Sequence, residues 1–176
     1  MKDINLELNG DERAYIRSTN NPKIEVVLSR AQDIPMYVDK GALDLGITGY
    51  DLVLEREANV HILLNFDFGQ SQLIVAAPQK SAMENIYDIP QVVKISTEFP
   101  NITAKYFQSL GKQVEIYELR GATELAPILG LTDIIVDLTS TGETLRKNNL
   151  KILLTITATT LLIRVSILSY RQIEKE

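Results

Sequence analysis

Between residues 92 and 150 the chain alternates short β-branched runs with helical stretches, and no other feature restricts its fold as much. "VVKIST" is followed in order by "PNITAKYFQSLG", "QVEIYEL", "GATELAPILGLT" and "DIIVDL". The apolar runs are short and rich in Val and Ile, as strands are, and the longer stretch between the first two has Pro100 near its start and Gly111 at its end, which predicts a helix. Parallel strands cannot be joined by tight turns, so strands and helices in this order predict a parallel sheet covered by helices, with right-handed crossovers.

The same rhythm holds upstream. "IEVVLS", Ile24 to Ser29, predicts a strand, and Asp33 is placed to cap a following helix that has Pro35 in its first turn and ends at Gly41. Leu43 to Gly49 then predicts a strand with glycines at its exit, and "YDLVLERE" resumes a helical period. After His61, "ILLNFD" and Ser71 to Pro78 predict two strands around the turn "FDFGQ". The polar stretch "QKSAMENIYDIP" predicts a boundary between lobes. In the tail, "LKILLTI" and "TLLIRVSI" predict strands that leave the second lobe and return to the first. The expected division is residues 1–77 with 158–176 in one lobe and 78–157 in the other.

Composition narrows the chemistry. Eighteen basic residues against twenty-three acidic ones give a net charge of −5, with no basic run, which argues against a broad nucleic-acid footprint. Cysteine is absent, which excludes disulfides, thiolate catalysis and cysteine-bound metal and suits the cytoplasm. His61 is the only histidine, so a histidine-rich metal site is excluded, and its strand-like surroundings give it a structural reading. The start of the chain is polar and acidic, unlike a signal peptide. The most apolar region, Leu153 to Leu168, carries four threonines, a serine and Arg164, which favours internal strand over a membrane span.

The segment "DLTSTGETLRKNNL" from Asp137 is the most suggestive for function. A strand ending near Leu138 gives way through Thr139, Ser140, Thr141 and Gly142 to a helix carrying Glu143, Thr144, Arg146 and Lys147. The carboxyl edge of an open α/β sheet is where ligands bind, and glycine, hydroxyls and first-turn amides together can hold a phosphate. The same residues also read as plain helix capping, Thr141 or Thr144 being the cap and Gly142 the turn. The lysine ending of a nucleotide-binding P-loop is not present. Asp137 ends an apolar strand and needs a partner: water, a backbone donor, a metal-bound ligand or a sugar hydroxyl.

These blocks resemble the catalytic subunit of ATP phosphoribosyltransferase, the first enzyme of histidine biosynthesis. The matching stretches are "RAQDIPMYVDKGALDLGITGYD", "FGQSQLIVAAP", "YELRGATELAPILGLTDIIVDLTSTGETLRKNNL" and, weakly, "TATTLLIRVS". The resemblance implies an α/β fold of two lobes like the type II periplasmic binding proteins. It implies that N1 of ATP attacks C1 of 5-phosphoribosyl 1-diphosphate with Mg2+ present, giving phosphoribosyl-ATP and diphosphate. The donor would be held by Thr139, Ser140, Thr141, Gly142, Glu143 and Thr144. Glu124 and Asp137 would be the acidic pair near the ribose hydroxyls, one or both reaching magnesium through water. Arg30, Asp44, Gly46, Thr48 and Gly49 would face ATP or the departing diphosphate, although a surface arginine and a packed strand exit would look the same.

The family opens with a strand and a basic glycine loop that this sequence does not show, so the expected fold is truncated at the N-terminus. Apolar edges of the first sheet are then expected to be exposed. The chain resembles the short form of the family, which implies self-association as a dimer and a regulatory subunit related to histidyl-tRNA synthetase. Two other readings remain open at this point: a two-lobed binding protein for anions or small molecules without catalysis, and an inactive truncated paralogue.

Overall fold

The computed structural model describes residues 6–66, 69–159 and 161–166, with side chains considered through residue 157. The chain first forms a small antiparallel pair, β1 (Ile16–Ser18) with β2 (Glu25–Val27). Helix α1 (Ile34–Asp39), strand β3 (Leu45–Gly49), helix α2 (Tyr50–Glu55) and strand β4 (Val60–Asn65) follow. Strand β5 (Ser71–Pro78) then leads into β6 (Val92–Thr97), helix α3 (Pro100–Ser109), β7 (Gln113–Glu118) and the short helix α4 (Leu125–Ile128). The last elements are β8 (Ile134–Thr139), α5 (Glu143–Lys147), β9 (Leu150–Thr159) and β10 (Leu161–Ser166).

The strands build a small sheet, ordered β3-β10-β4, and a large sheet, ordered β7-β6-β8-β5-β9. Strands β6, β7 and β8 run parallel, as their intervening helices require, whereas β5 and β9 pair antiparallel to their neighbours. Strand β10 pairs with β3 and β4, so the tail does return from the large sheet to the small one. Two boundaries need correction: Ala158 and Thr159 still pair with β5 in the large sheet, and β5 itself, expected in the first lobe with the division after residue 77, lies inside that sheet between β8 and β9. Its alternation explains why. Leu73, Val75 and Ala77 face a core with Phe107 of α3, while Ile74 and Ala76 face Ile135, Leu145 and Leu150 on the other side. A strand buried on both faces must be central, and each fully buried Leu, Ile or Val side chain on it contributes about 1.5–3 kcal/mol of burial.

Strand β9 carries two register shifts against β5, skipping Ile156 and then Leu153, so Leu153 and Leu154 both pack on the core in spite of being adjacent. In the small sheet β3 is an edge strand, and Leu45, Ile47 and Leu64 are exposed. The helix before β3 starts at Asp33 and contains Pro35 as expected, but the Asp33 side chain makes no capping bond. Gly41 has φ +70°, the left-handed turn expected beyond the helix.

The two sheets are joined twice, by residues 66–70 between β4 and β5 and by residue 160 between β9 and β10. They also touch through α2 and α3. Helix α3 has Phe99 at its cap position, a residue that cannot cap, and receives its acceptor from α2 instead. The Glu55 carboxylate accepts the backbone N–H of Asn101 and of Ile102, each at 3.0 Å, and Asn101 Nδ2 donates to the Glu55 carbonyl at 2.9 Å. Lys105 and Glu57 form an exposed ion pair at 2.8 Å beside this contact. Glu55 is only 7% exposed, and burial pushes its carboxyl above the ordinary glutamate range against the pull of the two amides.

Candidate active site

Because β6, β7 and β8 are parallel, their carboxyl ends lie on one edge of the large sheet, and the loops leaving that edge gather a set of polar side chains. From β6 come Thr97 and Glu98. Buried Thr97 accepts the Phe99 N–H at 2.9 Å, which turns the chain into α3 and leaves Glu98 exposed. From β8 come Asp137 and the loop Thr139–Gly142. The segment before α4 contributes Thr123, buried at 1% exposure, and half-buried Glu124.

Asp137 is held at both oxygens. Its Oδ1 accepts the N–H of Leu138 at 2.7 Å and its Oδ2 accepts the Thr123 hydroxyl. Burial pushes its carboxyl above the ordinary aspartate range; the Thr123 hydroxyl and the Leu138 amide pull it back, while the charges of Glu124 and Glu98 push it up again. The structure thus gathers Asp137, Thr123, Glu124 and Glu98 at one edge of the large sheet. Thr123 sits next to Glu124 in the sequence, but its carbonyl accepts the Ser96 hydroxyl and Ser96 in turn meets Thr132, partners far away in the chain, so no local pattern singled it out.

The loop after β8 is open to solvent at Ser140, Thr141, Glu143 and Thr144. Gly142 takes φ +70°, a left-handed conformation that glycine adopts without a Cβ penalty, and an added Cβ would meet nothing within 4 Å. Two of the amides expected to be free already have acceptors: Gly142 N–H donates to the Thr139 hydroxyl oxygen at 2.9 Å and Glu143 N–H to that of Thr141 at 3.3 Å. Those hydroxyls then have their own hydrogens to offer outward. Helix α5 is anchored by Leu145 at 4% exposure and carries the Glu143–Lys147 pair at 2.8 Å that its spacing predicts.

The candidates on the small sheet separate. Asp44 precedes β3 and Gly49 ends it, which puts them about 16 Å apart along a strand and at opposite edges. Gly46 lies under α1, where a Cβ would come within 2.6 Å of Ile34 Cγ2 and 2.8 Å of Val38 Cγ2. Thr48 is 2% exposed and its hydroxyl donates to the Ala31 carbonyl at 3.0 Å, tying down the approach to α1. Of these four, only Gly49 stands at a carboxyl end, where it precedes α2. Arg30 is exposed and lines a cavity of about 330 Å³ with Tyr15, Leu28, Asp33 and Tyr37. His61 lies on β4, in the small sheet. No helix among the described residues is long and apolar enough to cross a membrane.

Comparison with known proteins places this geometry. An ATP phosphoribosyltransferase from Methanocaldococcus jannaschii is 52% identical over 143 residues, which is 80% of this chain and 50% of that protein. One from Halothermothrix orenii is 38% identical over 95% of this chain and 75% of its own length. The chain thus spans about half the length of the Methanocaldococcus and Methanococcus relatives. Among solved structures, the ATP phosphoribosyl transferase (HisG:HisZ) complex from Thermotoga maritima superposes with a TM-score of 0.84 at 35% identity, covering 94% of this chain and 79% of that one. Tv2483 bound to L-arginine superposes at 0.60 with 17% identity, covering 83% and 63%, a likeness of fold alone. The architecture is that of the two-lobed α/β proteins of the type II periplasmic-binding class. The family model described as ATP phosphoribosyltransferase matches residues 30–175, which include both sheets and the whole Asp137–Thr144 loop, and the chain belongs to the ATP phosphoribosyltransferase family.

Proposed function

We propose that the protein transfers the phosphoribosyl group of 5-phosphoribosyl 1-diphosphate to N1 of ATP, releasing diphosphate. The observation that carries this reading is the open Thr139–Thr144 loop beside the Glu124–Asp137 pair, on the ligand edge of a chain that shares the family's sequence. In the reaction the sugar's C1 gains oxocarbenium-like charge as diphosphate departs, so the largest gains come from fixing the sugar and receiving the anion. Thr139, Ser140, Thr141, Gly142, Glu143 and Thr144 are assigned to the donor's 5-phosphate. Asp137 and Glu124 are assigned to the ribose hydroxyls, which a carboxylate with lone pairs to spare can accept. Arg30 and Gly49 are assigned to the ATP and diphosphate side. Adenine N1 is itself the nucleophile, so no strong general base is needed.

Magnesium fits this edge by its chemistry. Among the described residues no cluster of three possible metal ligands occurs, but magnesium usually takes only one or two carboxylates and fills its remaining positions with water and substrate phosphate. An edge carrying Glu98, Glu124 and Asp137 repels a diphosphate unless a cation comes with it. Asp137 and Glu124 are the groups that would hold the ion, and bound there it would neutralise the diphosphate. We further assign the protein to the cytoplasm, as a dimer acting with a regulatory subunit related to histidyl-tRNA synthetase.

The test is release of diphosphate and formation of phosphoribosyl-ATP from the two substrates with magnesium, measured on the chain with and without such a subunit. Turnover in either setting supports the reading. Tight binding of the donor without turnover in both settings would replace it with a non-catalytic binding role.

A further inference from the structure

The buried Thr123 hydroxyl has none of the roles assigned above. Thr123 donates its hydroxyl to Asp137 Oδ2, and its carbonyl accepts the Ser96 hydroxyl at 3.2 Å. Ser96 Oγ is also 3.2 Å from Thr132 Oγ1. Ser96 has one hydroxyl hydrogen, already given to Thr123, so Thr132 must be the donor to Ser96. The result is a directed chain: Thr132 to Ser96, Ser96 to the Thr123 carbonyl, and Thr123 to the carboxylate. Ser96 and Thr132 are 0% and 6% exposed, so water does not compete for these bonds as it would at a surface.

The arrangement does more than satisfy polar atoms. Asp137 stands in a desolvated position with Glu124 and Glu98 close enough to oppose its charge, and a carboxylate there is a poor choice for stability alone. Thr123 is the residue before Glu124, so what anchors Thr123 holds the Asp137 carboxylate and also the backbone from which Glu124 projects. The chain of hydroxyls does this from β6 and from the turn before β8, two parts of the rigid sheet.

We infer that Thr123 is a positioning residue for the donor site: its hydroxyl locks the Asp137 carboxylate in one orientation, and its anchored backbone sets the distance from Asp137 to Glu124. This rests on the proposed phosphoribosyl transfer for its ligand, but the lock itself does not. Thr123 need not touch the substrate.

The experiment compares Thr123→Val, which keeps the shape and removes the hydroxyl, with Thr123→Ser, which keeps the hydroxyl. Binding of 5-phosphoribosyl 1-diphosphate with magnesium, and of ATP, is measured by calorimetry on the full chain. The exchange rate of the Leu138 amide, whose acceptor is Asp137 Oδ1, is measured by NMR. Thr123→Val should bind the donor about tenfold more weakly, since one charge-assisted bond to a positioned carboxylate is lost, with ATP affinity unchanged. Its Leu138 amide should exchange faster, and Thr123→Ser should restore both. Donor affinity equal to the parent in the valine variant, or serine as weak as valine, would overturn the inference. If the parent itself binds no donor, the transferase reading fails, and the Leu138 amide still decides the lock: unchanged exchange in the valine variant refutes it. Should the valine variant not fold, Ser96→Ala breaks the chain one step back, and it should give a smaller loss of donor affinity of about threefold. No change there would count against the inference.

Discussion

Replacing Glu55 with alanine should loosen α3 and the contact between the lobes together. The substitution strips the acceptor from two backbone N–H groups in the first turn of α3, a helix that has no cap of its own. Two bonds to a charged acceptor at about 1.5–3 kcal/mol each set an upper bound near ~6 kcal/mol, and loss of an ordinary helix cap costs about 1 kcal/mol. Relief from burying the charge takes back part of the upper figure, because desolvation outweighs the two amides in its effect on Glu55. The expected loss is about 2–3 kcal/mol, which for a chain of this length lowers Tm by roughly 4–12 °C. Urea denaturation at neutral pH reads the first quantity, and amide exchange at Asn101 and Ile102 localises it. Glu55→Gln, which keeps one acceptor oxygen, should lose about half as much. The pH dependence has a definite sign. Since the folded carboxyl is raised, its favourable contribution is complete below the ordinary glutamate range and declines as pH rises through the raised value. The stability advantage of the parent over Glu55→Gln should therefore shrink with rising pH. A loss below ~0.5 kcal/mol with unchanged exchange at both amides would refute the cross-lobe cap. An advantage that grows with pH would refute the role given to burial.

Three further outcomes are expected. Gly46→Ala should destabilise by about 1–3 kcal/mol in denaturant titrations, because its Cβ would overlap Ile34 and Val38 under α1, and a neutral result would mean α1 can lift from β3 freely. Gly142→Ala meets open space but must hold φ +70°, so it should cost about 1 kcal/mol of stability and weaken donor binding as the loop leaves its left-handed turn; unchanged donor affinity by calorimetry would remove the loop from the site. Glu124→Gln should depress turnover at least tenfold while moving the urea midpoint little, since the residue is half-buried and makes no capping bond, and normal turnover would exclude it from the ribose contacts.

What could be read in the sequence, and what could not, follows from the range of the interactions involved. Strand β5 was legible as a strand from "SQLIVAAP", yet its sheet was not, because the polar run after it marks exposure and says nothing of which strands it pairs with. The position of Gly142 was legible, since a glycine between a strand and a helix marks a left-handed turn wherever it falls. Thr139 and Thr141 were legible as loop hydroxyls, but their use as acceptors for the amides of Gly142 and Glu143 is a matter of loop geometry. Asp44 and Gly49 looked like one cluster because they are near in sequence, whereas a strand separates its two ends by its full length. Glu55 reads as the solvent side of a charged helix, "YDLVLERE", and only the packing of α2 against α3 makes it a cap. Ser96, Thr123 and Thr132 are ordinary small polar residues in three separate segments, and the sheet alone brings them into line.

The chain passes between the sheets twice, from β4 into β5 and from β9 into β10, and β4 pairs with β10 in one sheet while β5 pairs with β9 in the other. Covalent connection alone leaves two packed units free to move relative to each other. The bonds from Glu55 and Asn101, with the Lys105–Glu57 pair, act as a latch across that motion: any swing that parts α2 from α3 must break all of them at once. Between α2 and α3 the molecule therefore has one preferred setting, and whatever requires another must supply the energy to release it.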